Sequence, residues 1–473
     1  MGALAVVLCI GLLLVSSLMS QKTVQIHAEE SAAYFKSREL FEKLIKNQEA
    51  VKRDNYADCI SSGIAYQLGN KEPVSGTDRA NPFIRILEAR YSDEEGENVN
   101  DGFYRAVMNG DTPNQTYSRY WHGGAAIIRL LLTAMNVSEM RMFMFILGIV
   151  INLAWIAFLV VKKEYLLTIS YLFAIIAGKI LFGYTCFEYA FVCFLIPVIS
   201  FAVYKTMENN RMNAARMKGR PTADGSAVPD RSIAVEGIFL IAGILTCFFD
   251  FLTAETATFT IPAFVAVCCL QKETAKSFTI RTESTKKKQK ASLWRFALTI
   301  AACWLIGYAG MFLLKWGLNA IFLGPSEAMS ALSYAAERSV GEVHVTSDMA
   351  SPAAGLWQRI EKIFLRNFAC LYGIPSEMKE SAVAVIAFIV PAFLYIFWFF
   401  LRDKSKLHTK EKKDHSFFFI CLILALIPIL RFLVLSNHSY MHYFFTYRAL
   451  MADVMIVTYW FLKTTVIGRF LEN

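Results

Sequence analysis

Long apolar runs dominate the pattern of hydrophobic and polar positions along the chain. A transmembrane helix needs about 17–25 mainly apolar residues, and ten stretches meet this requirement. They are residues 2–19, 140–161, 165–183, 187–204, 234–250, 254–270, 293–316, 381–401, 416–435 and 450–467. The runs are continuous, whereas the strands of a membrane β-barrel alternate apolar and polar residues. The pattern therefore predicts an all-α integral membrane protein with about ten transmembrane helices.

The spacing of these runs divides the chain into five parts. Residues 1–19 form an N-terminal membrane anchor, and an extracytoplasmic segment, 20–139, follows it. Spans two to seven lie in 140–318, and a second extracytoplasmic segment, 319–380, precedes spans eight to ten in 381–473. The first run has no Lys or Arg before it and no convincing small-x-small cleavage site. It is therefore interpreted as a retained anchor and not as a signal peptide.

The two extracytoplasmic segments contain amphipathic patterns of their own. Residues 29–53 place apolar side chains such as Phe35 and Leu44 at helical spacing, which predicts a helix there. The apolar run 125–136 is too short to cross a membrane and predicts a helix lying on the outer membrane face. Residues 359–373 predict a further amphipathic helix in the second segment.

Composition and charge then give the orientation. Apolar residues make up 55% of the 473 residues and charged residues only 18%, which excludes an ordinary soluble domain. With a cytoplasmic N-terminus, Lys and Arg form about 30% of the inner loops and about 10% of the long outer segments. This distribution follows the positive-inside rule and predicts that both termini are cytoplasmic. The basic runs 211–220 and 286–290 are thus interpreted as topology signals near anionic membrane lipid, and no nucleic-acid partner is predicted.

The sequence offers little sign of cofactor chemistry. It contains no CxxC, Walker A or dinucleotide-binding glycine motif. Among ten cysteines only Cys59 and Cys370 lie in the long outer segments, so one disulfide between them is weakly supported. His438 and His442 are four residues apart, a spacing that permits metal binding, but their aromatic surroundings favour contact with the membrane interface or a substrate. No metal ligands are assigned, and the cofactor stays open, with a divalent metal as one option.

Ionisable residues inside or beside the apolar runs collect at their outer ends. Charge within a membrane is costly and usually functional. A single Lys or Arg is more often placed there by snorkelling to the interface, but several on one face predict a polar site at the outer membrane surface. The basic and imidazole side chains of this predicted site, which would bind substrate, are Arg119, His122, Lys179, Lys315, Arg431, His438, His442 and Arg448. Its candidate catalytic acids are Asp54, Asp58 and Asp250.

Three segments carry a resemblance to known proteins. They are YSRYWHGGAAIIRLLL (117–132), FFDFLTAET (248–256) and NHSYMHYFFTYR (437–448). Their combination resembles a group of uncharacterised integral membrane proteins of Gram-positive, mostly gut-dwelling bacteria. The topology of one retained span, a long outer loop and a helix bundle resembles the GT-C class of membrane glycosyltransferases.

The resemblance to the GT-C class implies a function at the cell membrane. It implies inverting transfer of a sugar from a polyprenyl-phosphate donor on the outer leaflet, with a first-loop acid as base or metal aligner. That role falls on Asp58 or Asp54 in DNYAD (54–58), although the class usually places the acid nearer the span, where Glu29 and Glu30 stand. Asp250 is a second acidic candidate, and Arg431, His438, His442 and Arg448 would then contact the phosphate.

Two other functions stay open at the level of sequence. A transporter or flippase of a lipid-linked or anionic substrate would fit a multi-pass protein, but transporters usually bind substrate near the bilayer midplane, which here carries almost no charge. In a non-catalytic scaffold, the outer polar cluster would be a structural network of ion pairs. The oligomeric state is open as well.

Overall fold

Helices form nearly all of the regular structure. The structure is a computed structural model and describes residues 1–74, 77–93, 97–217, 233–276, 283–340, 355–375, 377–402 and 415–472. Within these ranges the paired strands form two short antiparallel ribbons, β1 (Phe41–Lys43) with β2 (Lys52–Asp54) and β3 (Arg90–Tyr91) with β4 (Gln115–Thr116). The predicted all-α class is therefore confirmed.

The helices fall into an N-terminal group and a longer group that carries most of the apolar runs. The first group is α1 (Gly2–Leu18), α2 (Gln25–Lys36), α3 (Asn55–Gln67), α4 (Pro82–Glu88), α5 (Val99–Met108) and α6 (Gly123–Leu131). The second begins with α7 (Val137–Val161), α8 (Tyr165–Ala177), α9 (Ile180–Gly183), α10 (Phe187–Met217), α11 (Ile233–Phe249), α12 (Ala257–Lys276) and α13 (Glu283–Phe322). It continues with α14 (Pro325–Val340), α15 (Leu356–Tyr372), α16 (Glu380–Leu401), α17 (Ser416–Val434), α18 (Ser436–Met441), α19 (Tyr443–Thr446), α20 (Met451–Thr464) and α21 (Val466–Glu472).

Five helices among the described residues are long and apolar enough to cross a membrane. They are α7, α10, α13, α16 and α17. Four more of the predicted stretches are apolar helices of at most 17 residues, in α1, α8, α11 and α12. The tenth stretch, 450–467, is divided between α20 and α21 at the extended residue Thr465. A helical membrane protein is supported, whereas the number of ten full spans stays a prediction.

Close helix contact holds the bundle together where small residues face each other. A side chain at Gly243 of α11 or at Gly307 of α13 would collide with the backbone of the other helix. Small residues of this kind let helix backbones approach closely, which is how membrane helices gain packing energy. By contrast, α16 lies at the edge of the bundle, and among its described side chains only Val383 is buried. Phe397 and Trp398 tie α16 to the C-terminal helices, through the Phe461 ring and the Thr464 hydroxyl.

The two ends of the bundle carry different charges. Helix α7 has 25 residues and is therefore about 37 Å long. Just beyond its C-terminal end, the Lys162 ammonium lies 2.5 Å from the carboxylate of Glu208, and Lys272 pairs with Glu164 nearby. Near the N-terminal end of α7, the outer segment packs on the bundle. The polar residues of the predicted outer site lie on that side.

The predicted helix over residues 29–53 is wrong beyond Lys36. Helix α2 ends there, and the chain turns into the β1–β2 ribbon. The ribbon places Glu42 directly opposite Arg53, and their side chains form an ion pair of 2.9 Å. Side chains of opposite charge that face each other across two paired strands stabilise the pairing. The charged residues that the sequence pattern assigned to the polar face of a helix therefore stabilise a pair of strands.

The short apolar run 125–136 does form a helix, α6, but its position differs from the prediction. Ala125, Ala126 and Ile128 are buried in the protein core, and α6 packs against α1 and α3. The Arg129 guanidinium also points inward and donates hydrogen bonds to Ser16 O and Ala65 O, both at 2.9 Å. The apolar side of α6 is therefore covered by protein. In the second segment, the predicted amphipathic helix 359–373 is confirmed as α15.

Two remaining expectations concern cysteines and the basic loops. Cys59 and Cys370 are both free thiols, so the weakly supported disulfide does not form. Cys59 instead donates to Val99 O at 3.3 Å inside the outer segment. The side chains of the basic run 286–290, and residues 218–220 of the run 211–220, lie outside the described residues.

Candidate functional site

The three segments that carry the resemblance meet in the structure. The loop between α11 and α12 is their meeting point. The Phe251 ring of this loop lies 5.0 Å from the His122 ring, and Leu252 O accepts a 2.8 Å hydrogen bond from Nε2 of His438. Residues far apart in the sequence thus line one region beside the loop between α11 and α12.

Asp250 shapes the loop at this meeting point. Its carboxylate is buried and accepts hydrogen bonds from the Thr253 amide at 3.1 and 3.2 Å and from the Thr253 hydroxyl. Leu252 lies between them with a φ of +66°, a left-handed conformation that is costly for a bulky residue. Such strain persists only where the surroundings hold it in place. Asp250 therefore acts first as the residue that closes this turn.

Arg431 is engaged in a buried ion pair. Its Nε lies 2.8 Å from Oε1 of Glu255, and its Nη1 donates to the Ser439 hydroxyl at 3.1 Å. Arg431 also donates to Leu252 O. These contacts join α17 to the loop before α12 and leave Arg431 with a structural role.

His438 and His442 lie side by side, as their spacing predicts. Their ring centroids are 4.6 Å apart, and the Phe445 ring packs on both. In the part of the chain that the structure describes, no three His, Cys, Asp or Glu side chains gather as metal ligands. The two histidines thus form an aromatic side of the site, and their ring nitrogens are its polar groups.

Asp58 is held on both of its oxygens. Its Oδ2 lies 2.6 Å from Nη2 of Arg141, and its Oδ1 accepts a 2.7 Å hydrogen bond from the Phe187 amide. The Phe187 amide is at the N-terminal end of α10, where the helix dipole favours a negative charge. Asp58 is fully buried, so this carboxylate fastens α3 to both α7 and α10.

Asp54 has fewer contacts. It is the N-cap residue of α3 and accepts one hydrogen bond, at 2.9 Å, from the Ala57 amide. Burial raises the pKa of Asp54 to about 7. A carboxylate with a pKa near neutrality can take up and release protons at physiological pH, which suits a general base. Of the three candidate acids, Asp54 also accepts the fewest side-chain hydrogen bonds, which leaves its carboxylate the most available to take up a proton.

Arg448 and Asp54 both lie near Tyr189. Tyr189 is within electrostatic range of both residues, and the Arg448 guanidinium carbon is 4.8 Å from the Tyr189 ring centroid. Arg448 is buried, and its hydrogen bonds to the backbone, to Phe444 O and Ala50 O, are both long at 3.4 Å. Its Nε has no acceptor, and no carboxylate among the described residues forms an ion pair with it. This uncompensated buried cation is suited to binding an anion.

Lys315 and Lys179 each cap the C-terminal end of an outer helix. The Lys315 ammonium donates to Leu87 O at 2.9 Å in the last turn of α4, and Lys179 donates to Cys370 O at 2.6 Å in the last turn of α15. A cation at this end satisfies free carbonyls and interacts favourably with the helix dipole. The two lysines therefore attach the two outer segments to the bundle, a structural role that the sequence did not indicate.

Arg119 and His122 lie in the segment before α6. The Arg119 guanidinium is stacked 4.1 Å from the Tyr117 ring and 4.4 Å from the Tyr334 ring. His122 is buried, has a φ of +55° and donates to Tyr117 O at 2.7 Å. Burial lowers the pKa of His122 to about 3, so its imidazole is neutral at physiological pH. Because His122 is buried and neutral, the charge of this segment is on Arg119, which is partly exposed.

Comparisons with protein-family models, with curated proteins and with solved structures found no match. The relation to the GT-C class accordingly stays a prediction from sequence and topology.

Sequence reasoning missed two residues that organise the site. Arg141 lies one residue inside a predicted span, where a single basic residue is usually explained by snorkelling. Tyr189 lies in the first turn of an apolar run, where tyrosine is common at membrane interfaces. Their partners, Asp58 and Arg448, are distant in the sequence, so no local pattern identifies either contact.

Proposed function

We propose that the protein is a glycosyltransferase of the cell membrane. It would transfer a sugar from a polyprenyl-phosphate donor to a cell-surface acceptor at the outer membrane face, with a GT-C-like arrangement of about ten spans and cytoplasmic termini. The observation that carries this proposal is that Arg448 donates to Ala50 O, four residues before Asp54, and that both Asp54 and Arg448 lie near Tyr189. A candidate base and an uncompensated buried cation lie together where an outer segment meets the bundle.

In the proposed reaction, Asp54 accepts the proton of an acceptor hydroxyl. The hydroxyl oxygen forms a bond to the anomeric carbon of the donor sugar, and the bond from this carbon to the phosphate oxygen breaks. The phosphate leaves with the electron pair of that bond and remains on the polyprenyl chain. Arg448 would stabilise the charge that develops on the leaving phosphate, because charge-assisted contacts strengthen as charge accumulates.

The other two acids fit this role less well. Asp58 is bound by Arg141 and by the amide of Phe187, so taking a proton would break a buried ion pair. Asp250 closes the turn at Thr253. The proposal therefore assigns the base to Asp54 and structural roles to Asp58 and Asp250.

The test measures the release of polyprenyl phosphate by the full chain in lipid nanodiscs. The donors are the polyprenyl-phosphate conjugates of glucose, galactose and mannose, and cellohexaose, maltohexaose and chitohexaose are added together to supply the accepting hydroxyl. Turnover by the native protein should rise with pH through an apparent pKa near 7, because the base must be deprotonated. Asp54→Asn should lower turnover by about 100-fold or more. Since Asn is as good an N-cap as Asp, the variant should remain folded.

Asp250→Asn is the matched control, since it is the same substitution at a buried acid in the same region. It should reduce turnover much less than Asp54→Asn. Undiminished turnover in Asp54→Asn would refute the assignment of the base. Absence of release from all three donors would refute the glycosyltransferase. Movement of a donor across the membrane of proteoliposomes, without release, would favour a flippase instead.

A further inference from the structure

Four tyrosines form a partly exposed strip on the outer surface around Arg119. The aromatic strip consists of Tyr56, Tyr91, Tyr117 and Tyr334. The first three are half-buried, and Tyr334 is 44% exposed. Trp121, a few residues from Tyr117, is by contrast fully buried, as expected of an aromatic residue that serves the core. The strip thus keeps ring surface available to solvent.

The strip is built from both outer segments. The Tyr91 and Tyr117 rings lie 6.1 Å apart, on neighbouring parts of the first segment. The Arg119 guanidinium lies between the rings of Tyr117 and Tyr334, and Tyr334 belongs to α14 in the second segment. Arg119 therefore joins the two segments and is held by ring faces on two sides.

Polar groups lie toward both ends of the strip, Arg119 next to Tyr334 and Asp93 near Tyr56. Nε of Arg119 has no acceptor among the described residues, and this guanidinium forms no ion pair there. At the other end, burial raises the pKa of Tyr56, and the adjacent Tyr91, Tyr117, Asp93 and Asp54 contribute to the rise. Tyr56 therefore connects the strip to Asp93 and to the proposed base.

We propose that the aromatic strip, with Arg119 and Asp93, binds the carbohydrate chain that accepts the transferred sugar. Sugar rings present weakly positive C–H groups that pack on the negative faces of aromatic rings. Their hydroxyls accept hydrogen bonds from a guanidinium and donate them to a carboxylate. The inference rests on the proposed function and names its acceptor class, because the strip leads to Asp54.

The test measures oligosaccharide binding by the full chain in lipid nanodiscs. Cellohexaose, maltohexaose and chitohexaose are the probes, and saturation-transfer NMR detects the sugar protons that contact aromatic rings. At least one hexamer should bind the native protein. Tyr334→Ala and Arg119→Gln should each weaken that binding by about fivefold or more, since one aromatic contact contributes about 1 kcal/mol. Tyr165→Ala, at an exposed tyrosine of α8, should change it by less than about twofold.

The outcomes separate this inference from the proposed function. Native-like binding by both strip variants, or no binding of any hexamer to the native protein, would overturn the carbohydrate site even if polyprenyl phosphate is released. Conversely, strip-dependent binding without release of polyprenyl phosphate would support the carbohydrate site and refute the transferase.

Discussion

At the scale of single residues, Arg448 differs from the buried charges that pair with a charge of opposite sign. Asp58 with Arg141 and Glu255 with Arg431 are buried ion pairs whose partners satisfy each other. Arg448 is buried without such a partner among the described residues. Because an uncompensated buried charge is costly, a protein keeps one where a ligand completes the pair. This contrast supports the proposal that Arg448 binds the donor phosphate.

The Asp58–Arg141 pair gives a prediction about stability. Asp58→Asn would leave the Arg141 guanidinium buried without its counter-charge, so the free energy of unfolding should fall by about 3–5 kcal/mol. Asp111→Asn is the control, because Asp111 also pairs with an arginine, Arg105, but its side chain is 41% exposed. The control should lose less than about 1 kcal/mol. Unfolding curves measured in one detergent compare the two variants, and equal losses would contradict a structural role for Asp58.

At the scale of elements, basic side chains repeatedly bind the C-terminal ends of helices. Lys315 binds the end of α4, Lys179 binds the end of α15, and Arg129 donates to carbonyls near the ends of α1 and α3. Helix C-termini carry unsatisfied carbonyls and a partial negative charge. These basic residues therefore position the outer helices on the bundle, and none of them has an acidic partner in the part of the chain that the structure describes.

Replacing each capping lysine should loosen only the helix that it caps. In Lys315→Met, amide hydrogen exchange should accelerate by about tenfold in α4, which corresponds to about 1.4 kcal/mol. In Lys179→Met the same acceleration should occur in α15, and each variant serves as the control for the other. Exchange that stays at the native rate in both helices, combined with weaker donor binding, would show instead that the lysines contact substrate.

At the scale of the whole molecule, the polar chemistry is divided between two ends. The end with Asp54 and Arg448 contains the proposed site, and the opposite end contains Lys162, Lys272 and their glutamate partners. The excess of Lys and Arg predicted for inner loops agrees with a cytoplasmic position of the second end. The proposed site would then face outward, where lipid-linked sugars are used to build surface polymers.

Cysteine labelling in intact cells tests this orientation. Thr116 and Arg211 are both exposed, the first in β4 and the second near the C-terminal end of α10. Thr116→Cys should react with a membrane-impermeant maleimide in intact cells, whereas Arg211→Cys should react only after the membrane is opened. Eight of the ten native cysteines are buried, so the background should be low. Labelling in the reverse order would contradict the predicted topology.

The sequence predicted those features that depend on local pattern. Apolar runs became helices because hydrophobic length alone is enough to specify them. Local pattern did not predict contacts between distant residues, since Asp58 and Arg141 are 83 positions apart and Lys315 and Leu87 are 228 apart. The β1–β2 ribbon was missed for the same reason, because its Glu42–Arg53 ion pair forms only after the chain has turned. Candidate site residues could therefore be identified from their residue type and position along the chain. Which of them are structural and which are chemical became clear only from their contacts in the fold.

The exposed position of α16 has a practical consequence for biochemistry. Its apolar side chains, Phe393, Tyr395 and Phe400 among them, face away from the protein, so the surrounding acyl chains have to supply most of their packing. A detergent micelle exerts no bilayer-like lateral pressure and therefore stabilises the position of such a helix less than a bilayer does. Extraction in polymer-bounded native discs should therefore preserve the C-terminal third of the protein better than detergent does, and activity lost on solubilisation should return when lipid is restored.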